Sequence, residues 1–123
     1  MRGVLVDTSV WSEHFRQEQE SLVDLLTQGL VASHELVIEE LALSMSAHHL
    51  LVLHDIAGLE TLPAATMEEY LRFVERYDIA GEGIGCVDTH LLISCKLVGA
   101  GLWTFDTHLA RAADRCGIDA YTP

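Results

Sequence analysis

The sequence predicts an α/β sandwich with a mostly parallel central sheet, and three observations carry that prediction. Short apolar runs alternate with amphipathic segments along all 123 residues. The first run, Val4-Leu5-Val6, lacks polar alternation, as a central parallel strand covered on both faces requires. Two of the runs, in "GVLVDTSVW" and "GLWTFDTHLA", end within a few residues on an ionised aspartate, Asp7 or Asp106. In open parallel sheets the ligand site lies beyond the carboxyl ends of the strands, so both aspartates are in the right place to belong to one.

The elements follow in order. After Val4–Val6, "TSVWSEHF" starts a helix capped by Asp7, Thr8 or Ser9. "GLVAS" reads as a second short strand. "HELVIEELALSM" is helical, with Val37, Ile38, Leu41 and Met45 along one side. "HHLLVLHDIAG" is a further helix stopped by Gly58, and "LETLPA" a short strand ending near Pro63. "TMEEYLRFVERYDI" is a helix capped by Thr66, with Glu69 three residues on to complete a capping box. "GEGIG" is a loop, and "CVDTHLLISCKLVG" is an apolar and therefore buried helix. "LWTF" is the next strand, "THLARAADRCG" a helix stopped by Gly117, and "DAYT" a last short strand. Neither a linker nor an internal repeat interrupts the series, so a single domain over 1–123 is expected.

Composition narrows the function. Hydrophobic residues make up 50% of the chain and charged residues 21%, close to an ordinary soluble globular domain. No apolar run reaches the roughly 20 residues of a membrane span. Asp7 falls where a signal peptide would need its apolar region. The three cysteines (Cys86, Cys95, Cys116) form no metal-binding pair and leave one thiol over in any disulfide scheme, which favours a reducing, cytoplasmic setting. Seven Lys and Arg against nineteen Asp and Glu give a net charge of −12. That balance argues against simple phosphate-driven binding of nucleic acid, and fits a metal cation or a basic partner protein better.

Four carboxylates stand out. Asp7 and Asp106 each have a plain alternative role as a helix cap, and capping is compatible with metal binding. Asp88 is more informative. At about 100° per residue, Ile84, Leu91, Leu92 and Cys95 all lie within roughly 60° of it, so its carboxylate sits in its helix's apolar stripe. A buried charge needs a partner. The helix N-terminus contributes about 0.3–1 kcal/mol, small against several kcal/mol of desolvation. With few basic residues to serve, a cation is the better complement. Among the three glutamates of "HELVIEELALSM", Glu40 projects beside Val37 and towards the interior, whereas Glu35 and Glu39 fall on the polar face. The alternative for Glu40 is an exposed helix edge. Carboxylates about 4 Å apart repel by ~4 kcal/mol at an effective dielectric of about 20, so such a cluster raises its own pKa values or holds a divalent cation. Hard oxygen ligands suit Mg²⁺ or Mn²⁺. The chemistry served by such a set is metal-assisted hydrolysis of a phosphodiester.

"LVDTSVW", "VIEELAL", "GIGCVDTHLL" and "LWTFDTHLARAA", in this order and spacing, resemble the PIN-domain ribonucleases, and specifically the VapC toxins of bacterial toxin–antitoxin pairs. The likeness spans nearly the whole chain. It implies a PIN-domain-like α/β/α sandwich and an acidic Mg²⁺ or Mn²⁺ site made by Asp7, Glu40, Asp88 and Asp106, with the Thr104 hydroxyl supporting it. It further implies a homodimer that cleaves structured RNA such as transfer or ribosomal RNA. A cognate VapB antitoxin would neutralise it and carry the complex to operator DNA. The chain departs from the pattern at Ser44, Cys86, Phe105, Thr107 and His108, the last three standing where relatives often carry basic residues. Arg111 and Arg115 remain as candidate phosphate contacts, against the plainer reading of a solvated helix surface.

Other readings are weaker. The seven histidines invite zinc, but His48, His49 and His54 give no i, i+4 pair on a helix face, and His90 points away from Asp88. "GEGIG" lacks phosphate-cradle spacing. A phosphorylated receiver would need an acidic pair after its first strand, and the common phosphatase motif would need a second aspartate in "DTS". From another class, a catalytically weak PIN-like module that binds a basic partner fits the net charge.

Overall fold

The structure is a computed structural model and describes residues 3–45 and 49–123. Its first strand, β1 (Val4–Val6), is buried at every position. Successive side chains of a strand point to opposite faces, so burial of all three means that helices cover the sheet on both sides. The chain continues through α1 (Thr8–Arg16), α2 (Glu20–Thr27), β2 (Val31–His34), α3 (Glu35–Ser44), α4 (Leu50–Ala57) and β3 (Glu60–Leu62). It closes with α5 (Met67–Tyr77), α6 (Cys86–Val98), β4 (Gly101–Trp103) and α7 (Thr107–Arg115).

Among the described residues the sheet has four strands in the order β3-β2-β1-β4, all parallel. The pairings of Val4 with Val31 and of Val6 with Trp103 place β1 in the centre. The core gathers around it from Leu5, Val6, Val10, Leu22, Val37 and Leu41 on one part of the chain, and Leu91, Leu92, Leu102, Trp103 and Leu109 on the other. Because all strands run the same way, the carboxyl ends of β1, β2 and β4 open on one edge. Asp7 follows β1 directly and Asp106 follows β4 within a three-residue turn.

The caps are where the sequence placed them. Asp7 accepts from the Ser9 and Val10 amides at the start of α1, and Asp106 from His108 and Leu109 at the start of α7. Thr66 and Glu69 close a reciprocal capping box on α5. Gly58 and Gly99 end α4 and α6, Gly99 in the left-handed region at φ 71°. His48 lies outside the described residues, so the start of the "HHLL" helix is described only from His49.

Two features differ from the sequence reading. The "DAYT" strand is reduced to one parallel bridge, Leu102 with Ala120, held by amide bonds of 2.9 Å on either side. Asp119, Ala120 and Thr122 are exposed, while Tyr121 between them packs inward against Trp103, too little burial to extend the ladder. Helix α2, in contrast, was not anticipated. It has no side-chain cap at Gln19 to announce it, and it is held by burial of Leu22 and Leu25.

Candidate active site

Asp7 is the most enclosed of the four carboxylates, only 4% exposed. Its Oδ1 accepts three bonds, from the Ser9 amide at 2.8 Å, the Ser9 hydroxyl at 2.6 Å and the Val10 amide at 3.3 Å. Its Oδ2 accepts the Thr104 hydroxyl at 2.6 Å and keeps a lone pair for a cation or water. Burial pushes the Asp7 carboxyl above its usual range, opposed by the hydroxyls of Ser9 and Thr104 and then by the two amides. Its backbone amide donates to the Trp103 carbonyl at 3.1 Å, tying the end of β1 to the end of β4.

Thr104 and Ser9 join the two strand ends. The Thr104 Oγ1 donates to Asp7 and accepts the Asp106 amide at 2.9 Å, while Ser9 Oγ accepts the Phe105 amide at 3.0 Å. Each hydroxyl has one proton, and both are given to Asp7. The 3.4 Å approach of Ser9 Oγ to Thr104 Oγ1 is therefore a contact between two oxygens already committed elsewhere. Asp106 itself is exposed, with Oδ1 engaged by the His108 amide at 2.8 Å and the Leu109 amide at 3.3 Å.

Asp88 lies in the first turn of α6, half-buried, above Leu91, Leu92 and Cys95. Its carboxyl is pushed up to about 6, first by burial, then by Asp7, with smaller contributions from Asp106 and Glu40; a bond from the Gly85 backbone works the other way. All four sequence-selected carboxylates therefore act on one locus, and Asp88 is where their fields meet. Glu40 reaches it differently from the sequence reading. It is exposed, not turned to the interior, and its Oε1 accepts the Thr8 hydroxyl at 2.6 Å. The locus is an open edge of the sheet, so a side chain on its rim stays in solvent.

Among the described residues, no three His, Cys, Asp or Glu side chains come close enough to cage an ion. The reason is local: Asp7 is turned to Ser9 and Thr104, Asp106 to the α7 amides and Glu40 to Thr8. The donor set nevertheless fits a hard cation of the Mg²⁺ type, which commonly takes one or two carboxylates and keeps several waters. Thr8 and Ser9 were missed as site residues. Their signal was available, since two hydroxyls directly follow an aspartate at a strand end.

The positive side chains are placed otherwise. The Arg115 guanidinium pairs with Glu82 in the loop before α6, so it is already occupied. Arg111 is exposed on α7. The His108 ring lies against Gly83 of the same loop, where a Cβ would come within 3.1 Å of Nδ1. His90 accepts the Ala65 amide at 3.0 Å and lies tilted against Tyr70, with ring centroids 4.9 Å apart.

Comparison with known proteins bears on family and fold. The PIN domain family model matches residues 4–115. Ribonuclease VapC32 of Mycobacterium tuberculosis, from strains CDC 1551 / Oshkosh and ATCC 25618 / H37Rv, is 46% identical over 116 residues, covering 94% of each chain. Among solved structures, FitAcB from Neisseria gonorrhoeae superposes with a TM-score of 0.70 at 22% identity, over 97% of this chain and 96% of that one. FitAB bound to an IR36 DNA fragment gives 0.68 at 20% identity, over 96% and 93%. PAE2754 from Pyrobaculum aerophilum gives 0.61 at 17%, over 92% and 81%. At these identities the structures speak for the fold alone, whereas the family match and the 46% relative place the sequence. The chain belongs to the PIN-domain family and, within it, to the VapC ribonucleases.

Proposed function

We propose that this protein is the toxin of a type II toxin–antitoxin pair, a single-domain cytoplasmic endoribonuclease that hydrolyses structured RNA with Mg²⁺ or Mn²⁺. The observation that carries the reading is the shared field at Asp88, whose carboxyl is raised to about 6 by burial and by Asp7, Asp106 and Glu40. An apolar helix stripe that holds a carboxylate within the field of three others, in a chain of net charge −12, is costly without a cation. Family membership supplies the substrate class.

In this reading Asp7, Glu40, Asp88 and Asp106 hold the cation directly or through water, Asp7 through Oδ2. A divalent ion there supplies positive charge for the phosphate and acidifies water for the attack. The residues do the positioning. Ser9 and Thr104 fix the Asp7 carboxylate and, through the Phe105 and Asp106 amides, the turn that carries Asp106. Asp88 or Glu40 orients the water and takes its proton, with Thr8 holding Glu40. Water oxygen bonds to phosphorus as the bond to the departing ribose oxygen breaks. The partners in this reading are a VapB-type antitoxin and a second copy of the chain; operator DNA is met only through the antitoxin.

The test is incubation of the purified chain, freed of co-purifying protein, with total RNA and Mg²⁺ or Mn²⁺. Discrete fragments that disappear with EDTA and with Asp88→Asn are expected. Intact RNA from folded, metal-loaded protein would replace the reading with that of a module that binds a basic partner.

A further inference from the structure

His34 is completely buried, and its two ring nitrogens do different work. It ends β2 and caps α3, and its Nδ1 accepts the Leu36 amide at 3.0 Å. A nitrogen that accepts carries no proton, which assigns the ring proton to Nε2. Nε2 lies 3.1 Å from Ser94 Oγ on α6, so the ring donates there, and the Ser94 hydroxyl is directed to the Pro63 carbonyl at 3.4 Å. The pattern needs a neutral ring. Burial lowers the imidazole's pKa below its ordinary value and His90 works in the same direction, against Glu35 and the Pro63 carbonyl. Ser94 is 4% exposed, so solvent does not replace the link.

The helices joined in this way are the two that deliver carboxylates to the site. From His34 to Glu40 is six residues along α3, and from Ser94 back to Asp88 is six along α6, each about 9 Å at 1.5 Å per residue. Asp7 and Asp106 need no such device, because the β1–β4 ladder sets their strand ends. Glu40 and Asp88 share no ladder.

We propose that His34 is a positioning residue: by bridging the start of α3 to Ser94 of α6, it sets the spacing of Glu40 from Asp88 and with it the site's affinity for a divalent cation. The inference rests on the carboxylate-site reading above. Its alternative is a buried strut that supports only the fold.

Mn²⁺ binding by the purified chain without RNA separates them, followed through the electron paramagnetic resonance signal of free Mn²⁺. Ser94→Ala removes the hydroxyl and leaves the α3 cap. His34→Asn keeps an acceptor for the Leu36 amide but is too short to reach Ser94, and it serves should Ser94→Ala fail to fold. Each variant is expected to weaken Mn²⁺ binding about tenfold, and Ser94→Ala to cost less than about twofold once Glu40→Gln is present. Unchanged affinity beside a lowered Tm would overturn the proposal, as would a full tenfold loss in the Glu40→Gln background. A wild-type chain that binds Mn²⁺ no better than Asp88→Asn would instead remove the carboxylate-site reading, a result visible in the wild-type titration alone.

Discussion

Asp88 answers to two opposed demands. Its folded-state pKa, about 6, lies above the ordinary 3.8, so it favours the folded state only while protonated. That contribution is whole below the ordinary value and is lost as pH rises through about 6. Asp7, raised in the same direction by burial, adds to the effect. Asp88→Asn is therefore expected to stabilise the metal-free protein at pH 7 by about 1–2 kcal/mol, after discounting for partial exposure, and to abolish RNA cleavage when metal is present. Urea unfolding of both chains at pH 5 and pH 7 checks this, the gap being smaller at pH 5; a destabilised variant at pH 7 would refute it. Asp88 was legible in the sequence because a carboxylate at helical spacing among Leu91, Leu92 and Cys95 contradicts its surroundings. Ser9 and Thr8 were marked by their place directly after a strand-end aspartate, but that signal is ambiguous, because a hydroxyl there looks the same whether it ends a turn or aims a carboxylate. Glu40 was legible by helix face, yet its exposure was not, since periodicity gives direction and says nothing of where the neighbouring elements stop.

At the scale of elements, the legible parts are those whose ends are marked by chemistry. Helix α5 is the clearest, with Thr66 and Glu69 satisfying one another's backbone amides at 3.1 and 2.8 Å. Thr66→Ala is expected to cost about 1 kcal/mol and lower Tm by roughly 3–5 °C, without altering cleavage, as thermal melts and RNA assays would show. A loss of cleavage at unchanged stability would mean that α5 takes part in the site. Helix α2 shows the opposite case, an element defined by what it buries and not by a terminal signal. The final strand shows how little a short run guarantees: of "DAYT" only Tyr and Thr favour strands, and the segment forms a single bridge, to Leu102.

For the whole molecule, a net charge of −12 means that the candidate site's carboxylates sit in an already negative field. A cation that binds only the folded chain stabilises it by mass action, by about 2.7 kcal/mol at a hundredfold excess over Kd. Scanning calorimetry should find Tm rising with Mg²⁺ in the wild type and hardly moving in Asp88→Asn. Equal shifts in both would place the binding on the general acidic surface. Fold class was legible at this scale because parallel sheets demand continuous apolar strands, and Val4–Val6 and the "GLWTF" run supply them. Which strands neighbour one another was not, because β4 joins β1 across the intervening chain.

That adjacency has a consequence in time. A ribosome makes the chain from Val4 towards Trp103, so β1 waits through almost the entire course of synthesis for the strand that lies beside it. Until Asp106 has emerged, Asp7 has neither the Thr104 hydroxyl nor the backbone of β4 to hold it. An unfinished copy of this protein therefore has its first aspartate in place without the strand and hydroxyl that aim it.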